Sequence, residues 1–507
     1  MAENLERERS AQHMRFRNQY IITTSPLELP DSFVTTAFGT LQVHANFPLR
    51  AYRAARGDTE VLLLGYVIDP LSPATTDQEI ADRLAAEAQT REQLFRAVQG
   101  LSGRFVALFR NGAELIALTD ACGVRQMYYS FFEGNIVLTS SVRLFADIVG
   151  KGASISAEMN EFIHLDNFDE EEHALYSDES IDSRMFKVLP NHYLDIDKRE
   201  VHRIPVFKAD LIGKGDIAEY TARIVEGGIE ALHGRFDVIQ PLTAGWDSRV
   251  LLACSRKFRH DTRYYIFDLG RNTGSSMDVA VSRRLASRLG LGFDVITPDK
   301  PGEAFADMYA KEQIVPRVSK IEDNHYLYSQ YANGNAARIS GVASAIIKSY
   351  YGYTNGRVTP AMLQAFTYYP PEHTIVKRGV ARWFDQAEEY CREYGLRMLD
   401  LFHWEEKEGN WGALAAFEQD VAVEEFWPQA NRNLLVSVLR LDPHERCSPK
   451  CLLYRKVIDR CWPEVMAEPI NPAGGLTKLK RLIKRSSKLR YYNLKLARLI
   501  GRGAGRS

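Results

Sequence analysis

Val61 to Val67 reads Val-Leu-Leu-Leu-Gly-Tyr-Val, an apolar run stopped by Asp69-Pro70, which predicts a buried strand. Phe105 to Arg110 and Glu114 to Leu118 are strand-like and flank Asn111-Gly112, a strong hairpin signal. A second hairpin is predicted from Met127 to Phe132 and from Ile136 to Thr139, turning at Glu133-Gly134-Asn135. Residues 77–99 read as helical, and the stretch from about 20 to 200 as β-rich. Successive antiparallel hairpins with few helices predict a sheet-on-sheet or layered α+β unit. After about residue 205 the period changes. Ile217 to His233 predicts a helix, Phe236 to Leu242 a strand, and Asp247 to about Lys257 a second helix. Strands are then expected at Tyr264 to Phe267 and Phe293 to Ile296, with another at Arg338 to Ser340. The helix Met277 to Leu289 between the first two stacks Val281, Leu285 and Leu289 at i, i+4 and i+8, and Gly290 and Gly292 close it. This alternation predicts a parallel sheet and an α/β fold class. From about 380 onward the pattern is mostly helical, and no internal repeat is present.

A length of 507 residues allows about three domains or two large ones. With 45% apolar and 25% charged residues the chain is ordinary globular material. A formal net charge of -1 gives no overall field to gather nucleic acid, so no DNA partner is expected. The first twenty residues lack an apolar signal-peptide core, and no apolar run reaches the ~18–20 residues that cross a bilayer. The six cysteines are too sparse for a disulfide framework, which fits a reducing, cytoplasmic setting.

The chemistry concentrates where a buried strand turns into a helix, at Leu242-Thr243-Ala244-Gly245-Trp246-Asp247-Ser248. In an open parallel sheet, ligands bind outside the carboxyl ends of strands, and a helix N-terminus there offers unpaired N–H groups suited to phosphate. Thr243 and Ser248 add hydroxyls. Gly245 allows close approach of the backbone or a positive φ. Asp247 reads as a helix N-terminal acid or as a magnesium ligand beside bound phosphates, and the two are compatible. No lysine follows the glycine, so the loop is not of the G-x-x-x-x-G-K-[ST] kind.

Thr243 to Ser248 resembles the Ser-Gly-Gly-x-Asp-Ser pyrophosphate loop (PP-loop) of the asparagine-synthetase family, which includes β-lactam synthetases and lasso-peptide cyclases. Leu101 to Phe105, Thr119 to Arg125 and Tyr128-Tyr129 are similar to that family's glutaminase-like domain. Lys450 to Arg455 and Trp462-Pro463 resemble its C-terminal elements. The resemblance implies three regions: a glutaminase-like domain at 1–205, an ATP-pyrophosphatase domain at 206–475 and a basic tail at 476–507. It implies ATP and Mg²⁺ as cofactors and an amide-forming reaction. A small-molecule or peptide carboxylate is adenylated, and ammonia or a substrate amine attacks. Leu242, Thr243, Ala244, Gly245, Trp246, Asp247, Ser248 and Gly341, with the backbone near Phe267 beside adenine, would bind nucleotide. Asp247 would hold the metal.

The chain departs from the family in three places. Position 2 is Ala2 and no cysteine precedes Cys122, which is expected in the sheet as a structural thiol, so glutaminase activity is not expected. The family's Ser-Gly-Glu-Gly-x-Asp-Glu segment reads Ser340-Gly341-Val342-Ala343-Ser344-Ala345-Ile346, and its second metal-binding carboxylate falls on Ala345. Nearby Lys348 either neutralises phosphate charge or is a solvated surface lysine. The family's late lysine has no direct counterpart, and Lys478 and Lys480 are the nearest substitutes. An impaired nucleotide-binding scaffold is therefore the rival to a ligase; an RNA-modifying enzyme recruited by the tail is a third reading.

His444, Cys447, Cys451 and Cys461 match no common zinc spacing, and Cys447 and Cys451 are expected on one helix face as buried thiols. Trp246 and Arg249 are candidate substrate contacts, while Tyr350-Tyr351 and Tyr368-Tyr369 read as packing. Residues 476–507 hold eleven Lys or Arg and no acid. Leu476, Leu479, Leu482 and Ile483 recur at helical spacing, so the tail suits an anionic surface of lipid, RNA or protein, or a helix docked on the core.

Overall fold

Apolar residues alternate along the early strands, and this sorts them onto two faces of each sheet. The computed structural model describes residues 15–268, 273–332, 334–354, 356–472 and 485–499. One six-stranded antiparallel sheet has the order β10-β8-β9-β1-β3-β2. Its strands are β1 Tyr20–Thr23, β2 Phe33–Phe38, β3 Leu41–Asn46, β8 Tyr128–Phe132, β9 Asn135–Thr139 and β10 Phe186–Lys187. The second has the order β12-β11-β7-β6-β5-β4. It contains β4 Ala51–Arg56, β5 Thr59–Ile68, β6 Ser102–Asn111, β7 Glu114–Thr119, β11 His192–Asp195 and β12 Glu200–Arg203.

The two sheets stack. Leu62, Leu64, Val106 and Leu108 of the second meet Tyr20, Ile22 and Val43 of the first in one core. The alternate residues Val61, Leu63, Phe105 and Phe109 face outward and are covered by helices Asp77–Glu87 and Arg91–Val98. Ile21 and Val137 pack on helix Val142–Ile148 across the other outer face. The layers are therefore helix, sheet, sheet, helix.

A five-stranded parallel sheet follows in the order β15-β14-β13-β16-β17. Its strands are β13 Asp237–Pro241, β14 Arg263–Phe267, β15 Phe293–Ile296, β16 Ala336–Ile339 and β17 Glu424–Phe426. Apolar clusters cover both of its faces, as a parallel sheet requires. The chain is thus mixed α/β with antiparallel and parallel sheets. β17 lies in a stretch expected to be helical, and Cys122 lies in the buried turn after β7 rather than in the sheet. Asp120 organises that turn by accepting the N–H groups of Cys122, Val124 and Arg125 at 3.1, 3.0 and 2.9 Å.

The antiparallel and parallel regions share a buried polar seam. Arg104 on β6 binds both carboxylate oxygens of Asp420 and reaches Glu424 Oε2 at 2.9 Å, while Arg125 holds Glu424 Oε1 at 2.7 Å. Tyr66 donates its hydroxyl to the Glu425 carbonyl at 2.8 Å. Helix Ile217–His233 comes so close that a Cβ on Gly227 would lie 1.8 Å from the Pro70 carbonyl oxygen. Only glycine permits that approach.

His192 on β11 is buried, and its Nδ1–H donates to the Pro190 carbonyl at 2.8 Å. Burial, the largest influence, pulls its pKa down from 6.5 to about 4. As pH falls below 6.5 the unfolded chain takes up a proton that the folded chain refuses, so stability present above 6.5 is lost toward 4. At 1.36 kcal/mol per unit the loss is ~3 kcal/mol. Urea unfolding should show this acid slope, and His192→Asn, which keeps the bond to Pro190, should flatten it. An unchanged slope in the variant would refute the assignment.

Candidate active site

Strand order places the cleft. β13 and β16 are neighbours, and the chain runs on from β13 to β14 on one side but from β16 to β17 on the other, so their connections diverge at the carboxyl ends. Such a switch point opens a crevice. Here Pro241 at the end of β13 and Thr243, Asp247 and Ser248 after it face Ile339, Ser340 and Gly341 at the end of β16, across a solvent-open cleft of about 1010 Å³. A second cleft of about 1150 Å³ adjoins it, and Ala345 and Tyr350 line both.

The loop after β13 is held mainly by its own groups. Thr243 N–H donates to Ser248 Oγ at 3.1 Å, and the two hydroxyls lie 3.0 Å apart. Gly245 N–H reaches Thr243 Oγ1 at 3.3 Å, and Ala244 N–H donates to Asp278 at 3.2 Å. Helix Trp246–Cys254 starts here with Gly245 as N-cap at φ −81°, so the positive φ considered for this glycine is not used. The first-turn amides of this helix have no intrahelical acceptor.

Among the expected residues, Thr243, Asp247, Ser248 and Gly341 line the cleft together. A Cβ on Gly341 would stand 3.0 Å from that of Asp247, so the two loops are in contact. Leu242 and Ala244 are fully buried, which leaves their side chains to packing, whereas the largely buried Trp246 lines the second cleft. Trp246 donates its indole N–H to the Pro449 carbonyl at 3.2 Å. Phe267 is not among the lining residues; its ring packs against Tyr265 and Tyr326. Arg249 is fully buried and bonded to the carbonyls of Val465, Glu468 and Pro469, so it is a structural residue rather than a substrate contact. Lys478 and Lys480 lie outside the described residues, as do Leu476, Leu479, Leu482 and Ile483.

Lys348 is not a solvated surface lysine. Its Nζ lies 2.5 Å from Asp247 Oδ1 and 2.6 Å from Oδ2, with only 19% of its side chain exposed. This ammonium bears directly on magnesium. Magnesium needs one or two carboxylates beside phosphates and water. The loop's carboxylate is already neutralised, Ala345 offers no oxygen from its side chain, and Asp278 is engaged by Ala244 N–H. No group of three or more metal-capable side chains occurs among the described residues. The residues present do not fit a resident magnesium ion. They do fit a phosphate chain, with hydroxyls, a helix N-terminus and a fixed cation at one edge.

The opposite wall was not foreseen. His403–Gly412 is a π-helix inside the longer run from Met398 to Glu418. Such segments are rare and frequent at functional sites. Its i to i+5 repeat puts His403, Lys407, Glu408 and Trp411 along the cleft. His403 Nε2 is 3.2 Å from Glu408 Oε1, and burial followed by the nearby cations Lys407, Arg490 and Lys348 keeps its pKa well below normal. Glu405 and Glu406 turn the other way; Glu405 takes Arg203 Nη2 at 2.9 Å. The six cysteines are free and buried. Cys447 follows the short helix Pro443–Arg446 and Cys451 precedes Leu452–Cys461, so they share no helix.

No protein-family model and no curated protein matches this chain. Among solved structures, 30 chains match. One is a glutamine phosphoribosylpyrophosphate amidotransferase from B. subtilis complexed with ADP and GMP, at 10% identity over 68% of this chain and 73% of that one, with a TM-score of 0.23. Another is described as the allosteric regulatory enzyme of purine biosynthesis, at 11% identity over 66% and 70% of the two chains, with a TM-score of 0.24. Likenesses at these scores decide neither fold nor chemistry.

Proposed function

We propose that the cleft binds ATP and serves amide-bond formation, in which a carboxylate becomes an acyl-adenylate with release of pyrophosphate. Ammonia or a substrate amine then displaces AMP. The observation that carries this reading is the Lys348 ammonium held on Asp247 at the N-terminus of helix Trp246–Cys254, on the wall of the second cleft that adjoins the switch-point cleft. Thr243, Ser248 and the first-turn amides would cradle pyrophosphate, and Lys348 would supply the countercharge. Glutaminase chemistry is no part of the proposal, because Cys122 is buried and its thiol is pushed far up in pKa, chiefly by burial.

A thermal melt with ATP tests the reading. Ligand at ~100 times its Kd adds about 2.7 kcal/mol to stability. Ser248→Asp keeps an acceptor in the first turn but sets a negative charge against the phosphates, and it should abolish the shift. An equal shift in the variant would move nucleotide binding elsewhere. AMP release with candidate carboxylates then separates the ligase from a second reading, a nucleotide-binding scaffold. That second reading is favoured by one observation, the closure of Asp247 by Lys348 where the resemblance implies a metal.

A further inference from the structure

The helix Ser487–Leu499 has two unlike faces. Its inner face is anchored. Arg490 and Leu494 are buried, Arg490 donates to the Tyr350 carbonyl at 2.8 Å, and Arg498 donates to the Tyr369 carbonyl at 3.0 Å. Its outer face carries Leu489, Tyr492 and Leu496, which are 55%, 63% and 57% exposed. Their i, i+3, i+7 spacing makes one continuous apolar stripe on the side where a surface helix is normally polar. Lys488 and Lys495, both exposed and two turns apart, flank the stripe along one side.

We propose that this face docks the protein on an anionic lipid bilayer surface. An apolar stripe bordered by lysines suits the boundary between headgroups and acyl chains. The surrounding sequence agrees in sign, since residues 476–507 carry eleven Lys or Arg and no acid. Nucleic acid is the poorer match, because a phosphate backbone rewards the lysines but gives two exposed leucines nothing to bury. A second copy of the chain would set like charges against each other. Among the described residues no helix is long and apolar enough to cross a membrane, so the contact is interfacial. Docking would hold the cleft about one helix diameter, ~10 Å, from the lipid, because Arg490 grips Tyr350 at the cleft.

The test is flotation of the full chain with phosphatidylcholine vesicles, with and without phosphatidylserine. Wild type should float only with the anionic vesicles. The triple variant Leu489→Ser, Tyr492→Ser, Leu496→Ser should bind at least roughly tenfold more weakly, since each leucine loses its lipid burial. Lys488→Gln with Lys495→Gln should cost about a factor of five per lysine and lessen the salt dependence. These side chains are exposed, so an unchanged thermal melt certifies the fold of each variant. Equal flotation of the triple variant overturns the proposal, as does a wild type that never floats. Two further results also overturn it: tight binding of single-stranded RNA retained by the triple variant, or a dimer in solution that the triple variant abolishes.

Discussion

Arg104→Ala should lower the unfolding free energy by about 3–5 kcal/mol, the usual cost of breaking a buried ion pair from one side. Arg104 is 1% exposed, and its guanidinium is shared between Asp420 and Glu424 in the seam between the sheets. Glu424 keeps Arg125, but Asp420 loses its bidentate partner. Burial, outweighing the arginines, already pushes its carboxyl up. Removing Arg104 leaves that group to be buried uncharged or poorly paired. Restoring volume alone with Arg104→Met should not recover the loss. Replacing both partners, as Arg104→Met with Asp420→Leu, should recover much of it, since apolar pairs replace buried ions at little cost. Urea unfolding of the three variants measures this. A single-variant loss below about 1 kcal/mol would mean that the seam does not hold the regions together.

Lys348→Ala should weaken ATP binding roughly 10- to 100-fold, since a lost charge-assisted bond costs about 1.5–3 kcal/mol and each 1.4 kcal/mol is tenfold. The fold should survive, because Asp247 sits in the first turn of a helix, where an acid is favoured. The same substitution uncovers the Asp247 carboxylate, which together with phosphates and water can hold magnesium. Nucleotide binding should therefore be insensitive to chelator in wild type and become magnesium-dependent in Lys348→Ala. Calorimetric titration with ATP, with and without EDTA, reads both effects. Loss of wild-type binding on chelation would show that a metal, not Lys348, supplies the charge.

Sequence periodicity carried far where burial is one-sided or complete. The apolar run at 61–67 is the middle of β5, and Ile217–His233 was legible to the residue because its apolar face repeats without interruption. The Thr243–Ser248 loop was legible as a strand-to-helix turn for the same reason. Elsewhere the core is charged, and charge reads as solvent. Glu405-Glu406-Lys407-Glu408 looks like an exposed face, yet all four residues are buried in a π-helix whose repeat of about 4.4 residues matches neither the helical nor the strand period, with Glu405 on Arg203, Lys407 near Glu171 and Glu408 near His403. Glu424-Glu425-Phe426 hides a strand because its acids are balanced by Arg104, Arg125 and Arg338 from distant segments. Lys348 reads as an ordinary lysine until its partner, 101 positions away, is known.

The edge strand β17 also sets an order of assembly. Its Glu424 finds its countercharges 320 and 299 positions earlier, on Arg104 and Arg125. A nascent chain emerges N-terminus first, so the stacked sheets are available as a template before the last parallel strand is synthesised. Until that strand arrives, β16 presents an open edge and one wall of the crevice has no support. The cleft is thus completed late, and a chain interrupted before residue 424 would carry Thr243, Asp247, Ser248, Gly341 and Lys348 without the strand that closes the sheet beside them.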